Sequence, residues 1–444
     1  MGGPTGDGAG WAADAAERML MRITIIANGS RGDVQPFVAL GVGLQAAGWT
    51  VHVAAPTPFK AFIEARGLIF EDLEFDPRQL LEGELGQVWL ETGHNPFGFI
   101  GRLKPLVEPL LDQFMAATLR ACEGSDALIF SPLGIFAWHY AQAAGIPAIL
   151  ASPVPAIRTA HIPNPIVPPL PFPRLTNPLG YRLGDQLGWQ MFRSVTNRWR
   201  VETLGLPPLP FGGPYRQIEQ EREIVLHGYS PSVVPKPPDW GENIHVTGYW
   251  FLDRSEDWQP PATLEAFLAD GPPPVYIGLG SMTGRDPEAL TRLALGALRR
   301  TGQRGVLLAG WAGLGGIDLP ADVCLVDDVP HDWLFPRMAA VAHHGGAGTT
   351  GAGLRAGRPS ILLPYFADQP FWGRVVHDLG AGPSPVPQKQ LTEARLAAAI
   401  NRAVTSPGIH RRTRTLGEQI RREDGVANAV NILLARLERG RSSA

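Results

Sequence analysis

Cysteine is nearly missing from this sequence: two among 444 residues, Cys122 and Cys324, far apart and without metal-type partner spacing. That argues against a disulfide framework or a thiolate zinc site and suits a reducing cytoplasm, the compartment we expect. No apolar run reaches the ~18 residues of a spanning helix. The first twenty residues, rich in Gly, Ala and Asp, have neither the basic start nor the apolar core of a secretory signal. Residues 1–21 are therefore expected to be a flexible extension, with Met21 itself a candidate start. A formal charge of only −3 gives no electrostatic footprint for nucleic acid.

Length and turn formers, by contrast, are plentiful. A chain of 444 residues is too long for one typical core, and its 52 Gly and 43 Pro are spread through turns instead of forming one block. From Arg22 short β-rich runs alternate with helical stretches. Ile23–Ala27, Thr50–Ala55, Asp126–Phe130, Ala148–Ala151 and Glu223–Leu226 read as strands of one sheet. Val275–Gly278, Gly305–Ala309, Val323–Val326, Ala339–His343 and Ser360–Leu363 read as strands of another. Such alternation predicts α/β architecture with two doubly wound, Rossmann-like parallel sheets facing each other across a cleft. The first unit is expected over 22–230, a Pro-rich linker over 231–243, and the second unit over 244–410. A helical segment, 411–444, would pack back on the first unit.

The strongest chemical signal is His343-His344-Gly345-Gly346-Ala347-Gly348-Thr349-Thr350, at the junction of a strand and a helix. Glycines there let backbone approach a phosphate, and the free N–H groups of a helix start favour an anion. Thr349 adds a hydroxyl, and His344 offers a hydrogen bond or a positive charge. Gly346, Gly348 and Gly351 also satisfy a dinucleotide fingerprint, with Asp368 20 residues beyond Gly348. That rival leaves the paired histidines unexplained. Asp368-Gln369 offers donors and acceptors for vicinal sugar hydroxyls, although Asp368 also reads as a helix N-cap before Pro370.

After the first strand comes Asn28-Gly29-Ser30-Arg31-Gly32-Asp33. A carboxylate on such a loop is placed for general-base work, with Ser30, Arg31 and Gly32 around it, while its simpler reading is an N-cap for a helix from Pro36. Ser281, Trp311 and Val329 follow other strands of the second unit and are candidates for the donor phosphate and nucleobase.

These blocks resemble the family 1 glycosyltransferases of GT-B architecture, in the branch of sterol 3-β-glucosyltransferases and bacterial antibiotic glycosyltransferases. The likeness runs through GSRGDVQP at Gly29–Pro36, HVTGYW at His245–Trp250, PPPVYIGLGSM at Pro272–Met282, and His343 to Arg374. His344 and Asp368 stand 24 residues apart, as do the phosphate-binding His and sugar-binding Asp of the plant members. The resemblance implies metal-free, inverting transfer of a hexose from UDP-glucose or a dTDP-sugar, with the nucleotide sugar as co-substrate and no cofactor. It places His344, Gly348 and Thr349 at the diphosphate and Asp368 and Gln369 at the sugar. Asp33 falls where plant members carry a catalytic His, and Ser131 where its assisting Asp would be, so Asp33 is expected to act as base directly. Ala352 stands in place of a ribose-binding Glu, which leaves UDP and dTDP both open.

The expected acceptor is a lipophilic alcohol, a sterol or a natural-product aglycone, walled by the stretches Leu80–Leu119 and Ser152–Tyr181. Peripheral membrane contact is compatible with such an acceptor, but no amphipathic basic segment compels it. The contrasting reading from another class is a catalytically silent nucleotide-sugar-binding module.

Overall fold

The computed structural model describes residues 21–76, 110–220, 224–278, 287–309 and 316–441. Ser281, Trp311 and most of Leu80–Leu119 lie outside them. Two all-parallel sheets organise the chain. The first has the order β3-β2-β1-β4-β5-β6-β7, from β1 (Arg22–Ile26), β2 (Thr50–Ala55), β3 (Ile69–Asp72), β4 (Ala127–Phe130), β5 (Ala148–Ser152), β6 (Val225–His227) and β7 (Ile244–Val246). The second has the order β10-β9-β8-β11-β12, from β8 (Val275–Gly278), β9 (Gly305–Leu308), β10 (Val323–Val326), β11 (Ala340–His343) and β12 (Ser360–Leu362).

The central strands are continuous Val, Ile, Leu and Ala runs because helices cover both faces of each sheet. Ile23 and Ile25 of β1 face a core with Phe37 and Leu40 of helix Arg31–Ala46. Ile26 faces the opposite layer with Leu128, Phe130 and Trp138.

Two strands were not expected. β3 is an edge strand with Ile69 exposed, so it lacks the buried run that marks its neighbours. β7 corrects the boundary read from the sequence: Ile244–Val246, assigned to the second unit, pairs with β6 in the first sheet, Val225 opposite Ile244. Proline density in Ser230–Trp240 does exclude regular structure, but this stretch is a buried return. Val233, Val234 and Trp240 are in the core, and His227 stacks on Trp240 at 4.7 Å. The chain crosses to the second sheet only after Val246.

The C-terminal segment is two helices. Pro407–Arg421 lies on the second unit, where Gly417 meets Gly357 so closely that a Cβ would stand 2.9 Å from the Gly357 Cα. Asp424 then accepts from the Ala427 N–H at 2.9 Å, starting helix Gly425–Arg441. Its Ala429, Val430 and Leu433 enter the core around Phe37 in the first unit.

Candidate active site

In open parallel sheets a ligand binds outside the carboxyl ends of the strands, where strand order reverses. The reversal lies between β1 and β4 in one sheet and between β8 and β11 in the other. The loop after β1 carries Asn28–Asp33, and the loop after β11 carries His344–Gly346.

On the first side the helix starts at Arg31, not Pro36, with Ser30 as its N-cap and Asp33 as its third residue. Asp33 is thus not the cap. Its Oδ2 accepts the Ser30 N–H at 2.8 Å and the Ser30 hydroxyl at 2.9 Å, while among the described residues Oδ1 has no donor. Burial pushes the carboxyl above its ordinary range, and the two Ser30 bonds pull it part of the way back. Gly29 is required here: its φ is +131°, and a Cβ would sit 2.4 Å from Asp33 Oδ2. Gly32 is exposed beside them.

On the second side His343 is fully buried, and its Nδ1 accepts the Gly345 N–H at 3.1 Å, which shapes the turn. Gly345, at φ +96°, and Gly346 then lead into helix Ala347–Arg355. A Cβ on Gly346 would stand 2.6 Å from His344 Nε2, whereas one on Gly348 would meet nothing within 4 Å. The first-turn N–H groups of Ala347, Gly348 and Thr349 have no intrahelical acceptor. His344 Nδ1, His343 Nε2 and Thr350 Oγ1 are buried without a hydrogen-bond partner among the described residues. Such orphans are few in native proteins, and three from one turn mark a place built for a polar ligand. Burial lowers the His344 pKa to about 4, so near neutral pH it is a neutral imidazole, and the positive-charge option does not hold for the unliganded protein.

Asp368 sits at the N-terminus of helix Gln369–Asp378, after a left-handed Ala367 at φ 55°. It occupies the cap position but does not cap. Its Oδ2 instead accepts the indole N–H of Trp372 at 2.9 Å. The carboxyl rises to about 7, first through burial and then through the charge of Asp33 across the cleft. Gln369 is buried, and its Oε1 serves the loop, accepting from the N–H groups of Tyr365 (2.8 Å) and Phe366 (3.4 Å).

The two units also touch directly. Arg31 Nη1 donates to Asp328 Oδ2 at 3.2 Å, with the guanidinium over the Phe62 ring. Asp328 lies in the loop after β10, next to the candidate Val329. Val329 beside it is buried against Trp333 and Met338, so only its backbone is left for a ligand. The structure therefore brings Ser30, Asp33, His344, Gly348, Thr349 and Asp368 to the two facing edges. Sequence reasoning missed Trp372, although the i, i+4 spacing from Asp368 was there to be read. It did not foresee the contact of Arg31 with Asp328, which lie 297 residues apart.

Residues 23–159 match the Glycosyltransferase family 28 N-terminal domain, and residues 312–433 match the Erythromycin biosynthesis protein CIII-like, C-terminal domain. The chain is 38% identical over 434 residues to a sterol 3-beta-glucosyltransferase of Arabidopsis thaliana, covering 94% of this chain and 66% of that one. It is 37% identical over 451 residues to a sterol 3-beta-glucosyltransferase of Cryptococcus neoformans var. neoformans serotype D, covering 95% of this chain and 27% of the relative. It thus spans less than two thirds of each relative's length. Among solved structures it is similar to the calicheamicin glycosyltransferase CalG4, at TM-score 0.67 and 21% identity over 94% of this chain and 99% of the other. It is also similar to the Streptomyces sp. SF2575 glycosyltransferase SsfS6 complexed with thymidine diphosphate, at TM-score 0.63 and 22% identity, with 94% and 99% covered. Two Rossmann-like sheets with facing carboxyl edges, the two matched glycosyltransferase domain models and the solved neighbours agree on the GT-B fold, and over nearly its whole length this chain is similar to sterol 3-β-glucosyltransferases.

Proposed function

We propose that the chain transfers a hexose, glucose from UDP-glucose, to the hydroxyl of a sterol-like alcohol with inversion. The observation that carries this reading is the facing pair Asp33 and Asp368, close enough for one charge to raise the other's pKa, with the His344 turn on the donor side. In this reading the acceptor oxygen attacks C1 of the sugar from the Asp33 side. Its proton passes to Asp33 Oδ1 as the C–O bond forms. The bond from C1 to the diphosphate breaks, and the nucleoside diphosphate leaves with the electron pair, inverting C1. A carboxylate suffices as base because the hydroxyl acidifies as its oxygen bonds, and such assistance is worth roughly 10²–10⁴-fold.

The leaving diphosphate is assigned to the N–H groups at Gly348 and Thr349 and to the His344 imidazole, which serve here without a resident metal or cofactor. Asp368 holds sugar hydroxyls, with Trp372 fixing its orientation. A cytoplasmic location suits a UDP-sugar donor, and among the described residues no helix is long and apolar enough to cross a membrane.

The test is Asp33→Asn. Turnover should fall by roughly 10²–10⁴-fold with donor affinity intact, and full activity would remove Asp33 from the mechanism. A second donor reading, a dTDP-sugar, is favoured by Ala352, which presents no carboxylate to a ribose. Turnover with dTDP-glucose in place of UDP-glucose decides between them. Neither transfer nor donor hydrolysis would leave only a binding module.

A further inference from the structure

The loop and helix after β5 expose an apolar surface that the chemistry above does not use. Helix Pro173–Glu202 is anchored on the first unit through one face, where Tyr181, Trp189, Val195 and Trp199 are buried. Its other face carries Leu175, Leu179, Leu183 and Leu187. A spacing of four residues keeps them on one side of a helix over ~18 Å. Their exposure runs from 82% at Leu175 to 37% at Leu187. Phe172, 77% exposed, extends the strip at the helix start, with Ile166 before it.

Single exposed leucines need no explanation, but four leucines in a row on one helix face, with an exposed phenylalanine at its start, mark an interaction surface. Phe172 supplies an independent sign. Its backbone is left-handed, with φ 58° and ψ 63°, a strained state for a bulky residue. The Thr176 hydroxyl holds that turn, donating to the Pro171 and Phe172 carbonyls at 2.8 and 3.2 Å. The strain leaves an aromatic ring facing outward, whereas relaxation would be expected if nothing used it.

The charges around the strip favour one occupant. Arg174 and Arg182 are exposed within it, on a chain whose net charge is −3. The acid among these turns, Asp185, is paired with Arg158 at 3.5 Å. Leucines and a phenylalanine bordered by arginines fit an anionic lipid surface, where apolar side chains enter the headgroup boundary and cations meet phosphates. In sequence the strip follows β5, a strand parallel to β4 and β1, whose carboxyl end lies on the same sheet edge as the Asp33 loop.

We propose that this strip docks the protein on an anionic bilayer surface, so that a lipid-dissolved acceptor reaches the cleft from the membrane. The choice of a bilayer as occupant rests on the lipophilic-acceptor reading.

The test is co-sedimentation of the full chain with phosphatidylcholine vesicles, with and without phosphatidylserine, in the absence of donor and acceptor. The wild type should bind the phosphatidylserine vesicles more tightly, and added salt should weaken that preference. Leu183→Glu/Leu187→Glu, with its fold checked by circular dichroism, should lose at least about tenfold in binding, given ~0.8 kcal/mol per buried CH₂. Leu175→Ser/Leu179→Ser is a second, milder variant with the same expectation, and Arg182→Glu should reduce the phosphatidylserine preference. Absence of wild-type binding, or equal binding by both leucine variants, would overturn the proposal. So would a dimer in sedimentation velocity that the variants dissolve, since the strip would then belong to a second copy. A raised KM of Leu183→Glu/Leu187→Glu for a cyclodextrin-solubilised sterol would reassign it to the acceptor wall. Because vesicle binding is read without turnover, its failure and a failure of the transfer chemistry are separate results.

Discussion

Replacing Asp368 by Asn should make the protein more stable at alkaline pH while making it a poorer catalyst. In the folded protein the carboxyl is raised from 3.8 to about 7. The folded state therefore holds this proton more tightly than the unfolded chain does. Between about pH 4 and 7 folding takes up a proton, and stability falls as pH rises through that window. Above it the carboxylate is charged in both states, and its burial beside Asp33 opposes folding in full. At ~1.4 kcal/mol per pH unit the penalty has an upper bound of about 4 kcal/mol. Asn removes the charge and keeps a carbonyl oxygen for the Trp372 indole. Thermal melts of both proteins from about pH 3.5 to 8.5 should converge at the acid end and diverge upward, with Asn more stable by a few degrees above neutrality. Because Asp33 contributes to the shift, Asp33→Asn should also stabilise at high pH, and the double variant should gain less than the two singles together. If Asp368→Asn were no more stable than wild type at about pH 8, the two carboxyls would not be confronting each other in a dry cleft.

Three further outcomes follow from the same geometry. Gly348→Ala has room for its methyl and a helical backbone, so melting should hold or rise while UDP affinity drops at least about tenfold; unchanged affinity would take the diphosphate away from this turn. His344 starts with its pKa lowered to about 4, and a bound diphosphate must raise it, so UDP-glucose should bind more tightly as pH falls towards 5 and with net proton uptake. Calorimetry in buffers of different ionisation enthalpy reads that uptake, and its persistence in His344→Ala would assign it to another group. Gly29→Ala forces a side chain into a left-handed backbone and against Asp33 Oδ2, so turnover should fall with donor affinity retained; wild-type turnover would mean that the Asp33 position is not critical.

Much of this was legible in the chain because the relevant signals are local. Strands buried on both faces write continuous apolar runs, which is why β1, β8, β9, β11 and β12 could be read directly. The His343–Thr350 turn announces itself through glycines needed within a few residues of each other. Edge strand β3 and the return strand β7 were hidden because their partners, not their own patterns, make them strands. The Pro-rich Ser230–Trp240 stretch misled for a related reason: proline reports that backbone is irregular, not whether it is buried. The neutral state of His344 and the proton affinity of Asp368 were out of reach. Both arise from groups packed around them by parts of the chain far away in sequence. The leucine strip illustrates the opposite difficulty. Its four-residue spacing is plain, but apolar spacing predicts a buried face, and only the packed structure shows that Tyr181 and Trp189 are buried instead.

The two sides of the cleft also differ in how much they can change. On the donor side, contacts are fixed by backbone geometry: Gly346 cannot carry a side chain beside His344, and Gly345 adopts a left-handed φ. Substitution there distorts the turn itself. In the first unit, the helix after β5 holds its place through a buried face, so its exposed residues can vary without disturbing the sheet. Selection for a different docking surface would act on residues such as Phe172, Leu175 and Leu179, at little expense to folding. The glycine turn constrains its own geometry, and the exposed helix face leaves room for the surface to change.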